Sequence, residues 1–161
     1  MTLIVIAGLF LVFFLLAYIS RRRFGTLGLA LAAGALLANN LTVWLAAQLA
    51  YIDFPTGPLS DRVAANIMLI LLPALVLLLS GPSYTKKHQI LLGATAFATM
   101  AMLLILGPLT SVLTPDPSAR AVLPVIASYN DVAIAVAIVL AIADAWLTHN
   151  LPSRDKKSSK K

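Results

Sequence analysis

Two of the chain's six acidic residues, Asp131 and Asp144, lie inside SYNDVAIAVAIVLAIADAW, residues 128–146, a stretch apolar enough to cross a bilayer. A carboxylate at membrane depth suggests a proton or cation relay, or a contact to a partner's basic residue. The competing reading keeps both acids near water, Asp131 in the first helical turn and Asp144 about a turn from the other end. There Asp131 would favour the positive pole of its own helix. Helical geometry removes one option. Thirteen residues separate the pair by ~20 Å along the axis and ~220° around it, so they cannot share a metal or form a catalytic dyad on their own. With Ala133, Ala137, Ala141 and Ala145 as a packing stripe, Asn130 and Asp144 fall within its arc and Asp131 at its edge.

The other polar candidates are few. Asn39 and Asn40 sit mid-way along a second apolar run, where amides either join helices or line a polar path. Asn66 and Gln48 invite the same structural reading. Ser83 and His88 lack a Gly-x-Ser-x-Gly turn, and His149 falls beside the polar tail. Asp53 or Asp61 could meet Asp131 to make a membrane hydrolase. Asp61-Arg62 and Tyr129-Asn130-Asp131 resemble fragments of the lipoprotein signal peptidase motifs, but the longer motifs of that family are not met. There is no P-loop, dinucleotide-binding glycine motif or paired-histidine metal motif. Cysteine is absent, which excludes disulfides, thiolate metal sites and a cysteine nucleophile. No catalytic residue, metal site or cofactor is expected.

The elements that carry these residues are apolar. Hydrophobic residues make up 60% of the 161 and charged residues 11%, against about 45–50% and about 25% in soluble domains. The excess must face lipid. Five spans are predicted, at about 3–19, 25–50, 61–80, 86–106 and 128–148, within one transmembrane domain of residues 1–150. A basic tail, 151–161, follows. The first run has no basic residue before it and Arg21-Arg22-Arg23 directly after it, which suits a retained span rather than a cleaved signal. Gly28, Gly34, Gly93, Ala137 and Ala141 lie in small-residue stripes that allow close helix packing, so spans two, four and five should pack most tightly. Ser60 or Asp61 can cap the third span. Pro73 should kink it, and Gly81-Pro82 should end it. Gly107-Pro108 should end the fourth span. The proline-rich segment 107–127 then reads as interfacial, re-entrant or a surface loop.

Charge fixes an expected orientation. Of the twelve Lys and Arg residues, ten fall in three clusters that five alternating spans place on one side: Arg21–Arg23, Lys86–Lys87 and the tail. By the positive-inside rule the N-terminus is outside and the C-terminus cytoplasmic. Placed this way, the net charge of +6 speaks for topology and not for nucleic acid. The clusters would also attract anionic lipid headgroups, by ~1 kcal/mol per basic residue near the surface.

Arg21-Arg22-Arg23-Phe24-Gly25 closing a first span, a Gly/Ala-rich second span, and Lys86-Lys87-His88-Gln89 leading into Ile90-Leu91-Leu92-Gly93 resemble the colicin V production protein family over residues 1–106. That family comprises small bacterial inner-membrane proteins, usually read as four spans. The fifth span here has no counterpart in it. The resemblance implies an accessory envelope protein linked to toxin export and supplies no catalytic residue. The expectation is an all-α, five-span bundle in the plasma or inner membrane. It would be a non-enzymatic accessory or scaffold component, with a second copy or a membrane protein as partner. The alternative is a small transporter or channel subunit with a polar path through Asp144, Asn130, Asn39 and Asn40. A membrane-embedded hydrolase comes third.

Overall fold

The computed structural model describes residues 2–57, 59–80, 84, 87–110 and 117–149. Gly81-Pro82, Ser83, Lys86 and the basic tail lie outside them. The described residues form five helices: α1 Thr2–Ser20, α2 Phe24–Tyr51, α3 Asp61–Ser80, α4 Lys87–Thr110 and α5 Pro117–His149. Four of these contain segments long and apolar enough to cross a membrane: Phe24–Tyr51, Asp61–Ser80, Lys87–Thr110 and, within α5, Leu123–Leu147. The apolar part of α1, Ile4–Ser20, is shorter. Leu36, Val43, Leu72, Leu92, Val132 and many other large apolar side chains are exposed on the bundle's outside. That surface suits a membrane protein.

The helix ends follow from local chemistry. Arg21, at φ 53°, closes α1: its N–H donates to the Ala17 carbonyl at 3.0 Å. Asp53, at φ 48°, closes α2. Its N–H donates to Ala50 O at 3.3 Å and that of Phe54 to Leu49 O at 3.1 Å. This paired pattern satisfies carbonyls the helix leaves open. Ser60 caps α3, its Oγ accepting from Val63 N at 3.4 Å, while Asp61 accepts from Thr56 Oγ1 at 3.1 Å.

Two proline expectations change. α4 continues through Pro108 to Thr110, and α5 begins at Pro117 and runs through Pro124. Residues 117–127 are therefore helical and not a broken loop. Pro117 opens the helix, where its missing N–H would have had no partner. A proline further in removes one backbone bond, and tertiary packing can offset that loss.

α2 and α4 are the central pair. α2 packs most extensively against α3, α1 lies against α4, and α5 joins the bundle through α2 and α4. Tight packing of spans two, four and five was expected, but α3 displaces α5 as the main neighbour of α2. Of α5, Ala141 alone among the described side chains is buried hydrophobic core. The reason for the α2–α3 contact is local. A Cβ at Gly34 would collide with the carbonyl oxygens of Ile70 and Leu69, the latter at 2.8 Å. Both carbonyls lie in the turn before Pro73, which has no N–H to offer Leu69 O, and they face the bare Cα of Gly34. Phe97, Leu27, Leu31, Met100 and Ile105 are the largest fully buried side chains and belong to one core to which all five helices contribute.

Candidate functional site

The best-connected polar group in the bundle is built where α1 meets α2, α3 meets α4, and α5 ends. We call this the basic end, after Arg21, Arg22, Arg23 and Lys87. α2 starts at Phe24 with no side-chain cap from its own N-terminal residue, Arg23. Its first N–H groups therefore need acceptors from elsewhere. Asp144 of α5 supplies one: its Oδ2 accepts from Gly25 N at 2.8 Å. Tyr84, in the α3–α4 linker, supplies the other: its hydroxyl oxygen accepts from Phe24 N at 3.1 Å. The same hydroxyl donates to Asp144 Oδ2 at 2.9 Å. The linker is tied down at its backbone too, Tyr84 N donating to Arg21 O at 2.7 Å.

Small residues make the approach possible. A Cβ at Gly25 would lie 2.7 Å from Ala141 O, 2.7 Å from Ala145 N and 2.9 Å from Asp144 Oδ2. At Gly28 it would lie 2.8 Å from the Ala141 Cβ. At Gly93 it would lie 2.6 Å from the Tyr84 ring, so the tyrosine sits directly over the α4 backbone. Arg22 serves the end of α3. Its Nε donates to Leu78 O at 2.9 Å and its Nη2 to Leu79 O at 2.6 Å. An anion at the α2 N-terminus and a cation at the α3 C-terminus both complement the helix dipoles.

The electrostatics follow the geometry. Burial pushes the Tyr84 phenol up to about 12, and its bond to the Asp144 carboxylate and that group's charge add to the rise. The Phe24 N–H and the Arg23 charge oppose it. Tyr84 therefore stays a neutral donor near pH 7. Arg23 itself has a buried Nε with no acceptor.

The expected polar residues are scattered. Asp144 is half-buried within the junction, whereas Asp131 is exposed. Asn39 and Asn40 are exposed on α2, and Asn40 Nδ2 donates to Leu36 O of its own helix at 2.8 Å. Asn130 is half-buried and lines an apolar groove of about 270 Å³ with Leu106, Thr110, Pro124 and Ala127, its Oδ1 buried without a donor. Fourteen residues, ~21 Å of helix, separate it from Asp144. Gly28, Gly34 and Ala141 are buried at helix contacts, Gly93 is buried beneath the Tyr84 ring of the linker, and Ala137 packs at the edge of the core.

Among the described residues no three His, Cys, Asp or Glu side chains gather as a metal site. Sequence reasoning missed Tyr84, Gly25 and the capping role of Arg22. The uncapped start of α2 was the available signal: no Ser, Thr, Asp or Asn precedes Phe24, so a partner had to come from another element. No family model, curated protein or solved structure matches the chain.

Proposed function

We propose that the chain is a non-enzymatic, multi-pass scaffold or accessory subunit of a plasma- or inner-membrane assembly. In this reading all five helices cross the bilayer, with the N-terminus outside and the basic end in the cytoplasm. The observation that carries the proposal is the use made of Asp144. This acid, embedded in the junction, accepts hydrogen bonds from the α2 backbone and from Tyr84, and thereby fastens three elements together. It acts as a structural cap. Function then rests with the surface, which is dominated by apolar side chains suited to lipid and to other membrane helices. The basic residues at the junction would meet anionic headgroups, and the resemblance to the colicin V production proteins points to an envelope or export system.

The test is isolation of the full chain in mild detergent from its native membrane, with mass spectrometry of what accompanies it. A stoichiometric membrane-protein partner is expected. A chain that returns alone from repeated gentle extractions overturns the scaffold reading. Orientation has its own check: a reporter fused after Lys161 should be active only in the cytoplasm.

A further inference from the structure

Thirteen residues of α2 are exposed, and six of them form a seam. Leu29, Ala33, Leu36, Asn40, Val43 and Ala47 follow one another at intervals of four, three, four, three and four, and all six are exposed, Leu29 least among the large ones. This is the 3.5-residue repeat of a helix that packs along its length against another helix. At 100° per residue the six stay within about 40° of their own mean direction, which lies about 20° from the middle of the exposed face, so the seam runs inside that face and not along its border. From Leu29 to Ala47 it is ~27 Å long, nearly the thickness of the hydrocarbon core. Two-thirds of the surface of Leu36 and of Val43 is open. At the seam's centre, between these two, sits Asn40.

An asparagine amide facing acyl chains is costly, because lipid offers it neither donor nor acceptor. Asn40 satisfies only part of its capacity internally. One Nδ2 hydrogen goes to Leu36 O at 2.8 Å, leaving the second hydrogen and Oδ1. The group left over is both a donor and an acceptor, so its natural complement is another copy of itself. Copies inserted in one membrane share one topology, so a pair must be parallel. A two-fold axis along the membrane normal then brings Asn40 opposite Asn40 at the same depth. A single polar residue at such a position fixes register and number of strands.

We propose that α2 is the interface of a parallel, two-fold homodimer. The seam from Leu29 to Ala47 packs against its own copy, and the two Asn40 amides exchange hydrogen bonds across the axis. Asn39, about 80° to one side of the seam's mean direction, flanks the contact. The inference rests on α2 crossing the membrane and not on the scaffold role, which the co-isolation experiment tests separately.

The absence of cysteine makes the test direct. Single cysteines are placed at Leu36 and Val43 on the seam, and at Leu41, which is exposed about 120° from its centre. Membranes carrying each full-length variant are treated with a mild oxidant. L36C and V43C should cross-link to twice the chain's mass, and L41C should not. Replacing Asn40 by Ala in the L36C background should weaken self-association about three- to thirtyfold, the range spanned by interhelical polar bonds in membranes. All these positions are exposed, so the variants should keep the monomer fold, which helical circular dichroism checks. Equal cross-linking at Leu41 and Leu36 overturns the proposal. So does an L36C product with a protein of different mass, or an L36C N40A variant that dimerises as strongly as L36C alone.

Discussion

Alanine at Asp144 leaves two donors without their present acceptor: the Gly25 N–H at 2.8 Å and the Tyr84 hydroxyl at 2.9 Å. A hydrogen bond to a charged group contributes about 1.5–3 kcal/mol net, and a buried donor left unpaired costs about 1–3 kcal/mol. Tyr84 is only half-buried, so water recovers part of the loss at its hydroxyl, whereas Gly25 is buried and its N–H keeps the larger penalty. For two donors, Asp144→Ala should destabilise the bundle by about 2–4 kcal/mol. Asp144→Asn keeps an oxygen in place but removes the charge from the helix N-terminus, an effect of about 0.3–1 kcal/mol. Tyr84→Phe deletes the hydroxyl that joins Asp144 to Phe24 N, and should cost about 1–2 kcal/mol. The decisive quantity is the coupling between the two sites. Asp144 and Tyr84 share a hydrogen bond, so the double variant should fall short of additivity by about 1 kcal/mol. Reversible unfolding of the purified protein in mixed micelles, followed by helical circular dichroism, measures all four corners of the cycle. An Asp144→Ala variant within about 0.5 kcal/mol of the parent, or strict additivity with Tyr84→Phe, would refute the capping argument.

Two more expectations come from the same structure. Gly34→Ala drives a methyl group into the Leu69 and Ile70 carbonyls, so it should lower stability by about 1–3 kcal/mol. Gly107→Ala, with nothing within 4 Å of the added carbon, should be neutral or stabilising by up to ~1 kcal/mol; equal losses at both glycines would show that close approach is not what Gly34 provides. The raised phenol of Tyr84 gives a pH signature. The folded state holds its proton more tightly than the unfolded chain, so its contribution is intact below about pH 10 and is lost as pH rises through about 12. Because the ring is half exposed, the slope should stay well under ~1.4 kcal/mol per pH unit. Unfolding measured across that window should show the slope in the parent and not in Tyr84→Phe.

Legibility in the sequence divides along a physical line. Hydrophobic runs announced the helices because lipid demands long apolar segments, and α2 and α3 fall within a residue or two of the expected spans. The prolines misled at Pro108 and Pro124. Proline lowers helix propensity locally, but one lost backbone bond is small beside the packing of a whole span. The small-residue stripes indicated close approach without saying to what. Gly28 meets Ala141, whereas Gly34 meets the Leu69 and Ile70 carbonyls, and that pairing needs the third dimension. Asp144 stood out as an acid in an apolar run. Its partners did not, because Gly25 and Tyr84 are 119 and 60 residues away in the chain and contribute a backbone N–H and a linker hydroxyl.

The two ends of the bundle solve the same problem in different ways, and the contrast bears on which helix can move. Away from the basic end, α2 closes through its own Asp53 and Phe54 amides and α3 opens under its own Ser60, so the bonds at those termini are local. At the basic end, α2 needs Asp144 and Tyr84, and α3 needs Arg22. Polar bonds between helices are concentrated there, where each one fixes a distance between elements. Along the spans, contacts are apolar and short-range. α5 shows the consequence most plainly: its carboxylate is tied at one end, Ala141 is set against Gly28, and Val125, Val132 and Val136 toward the other end are exposed. A helix held at one end by hydrogen bonds and elsewhere by shallow packing has its freedom at the far end. Local opening of this bundle should therefore begin in the half of α5 before Ala137, with the Asp144 junction as its pivot.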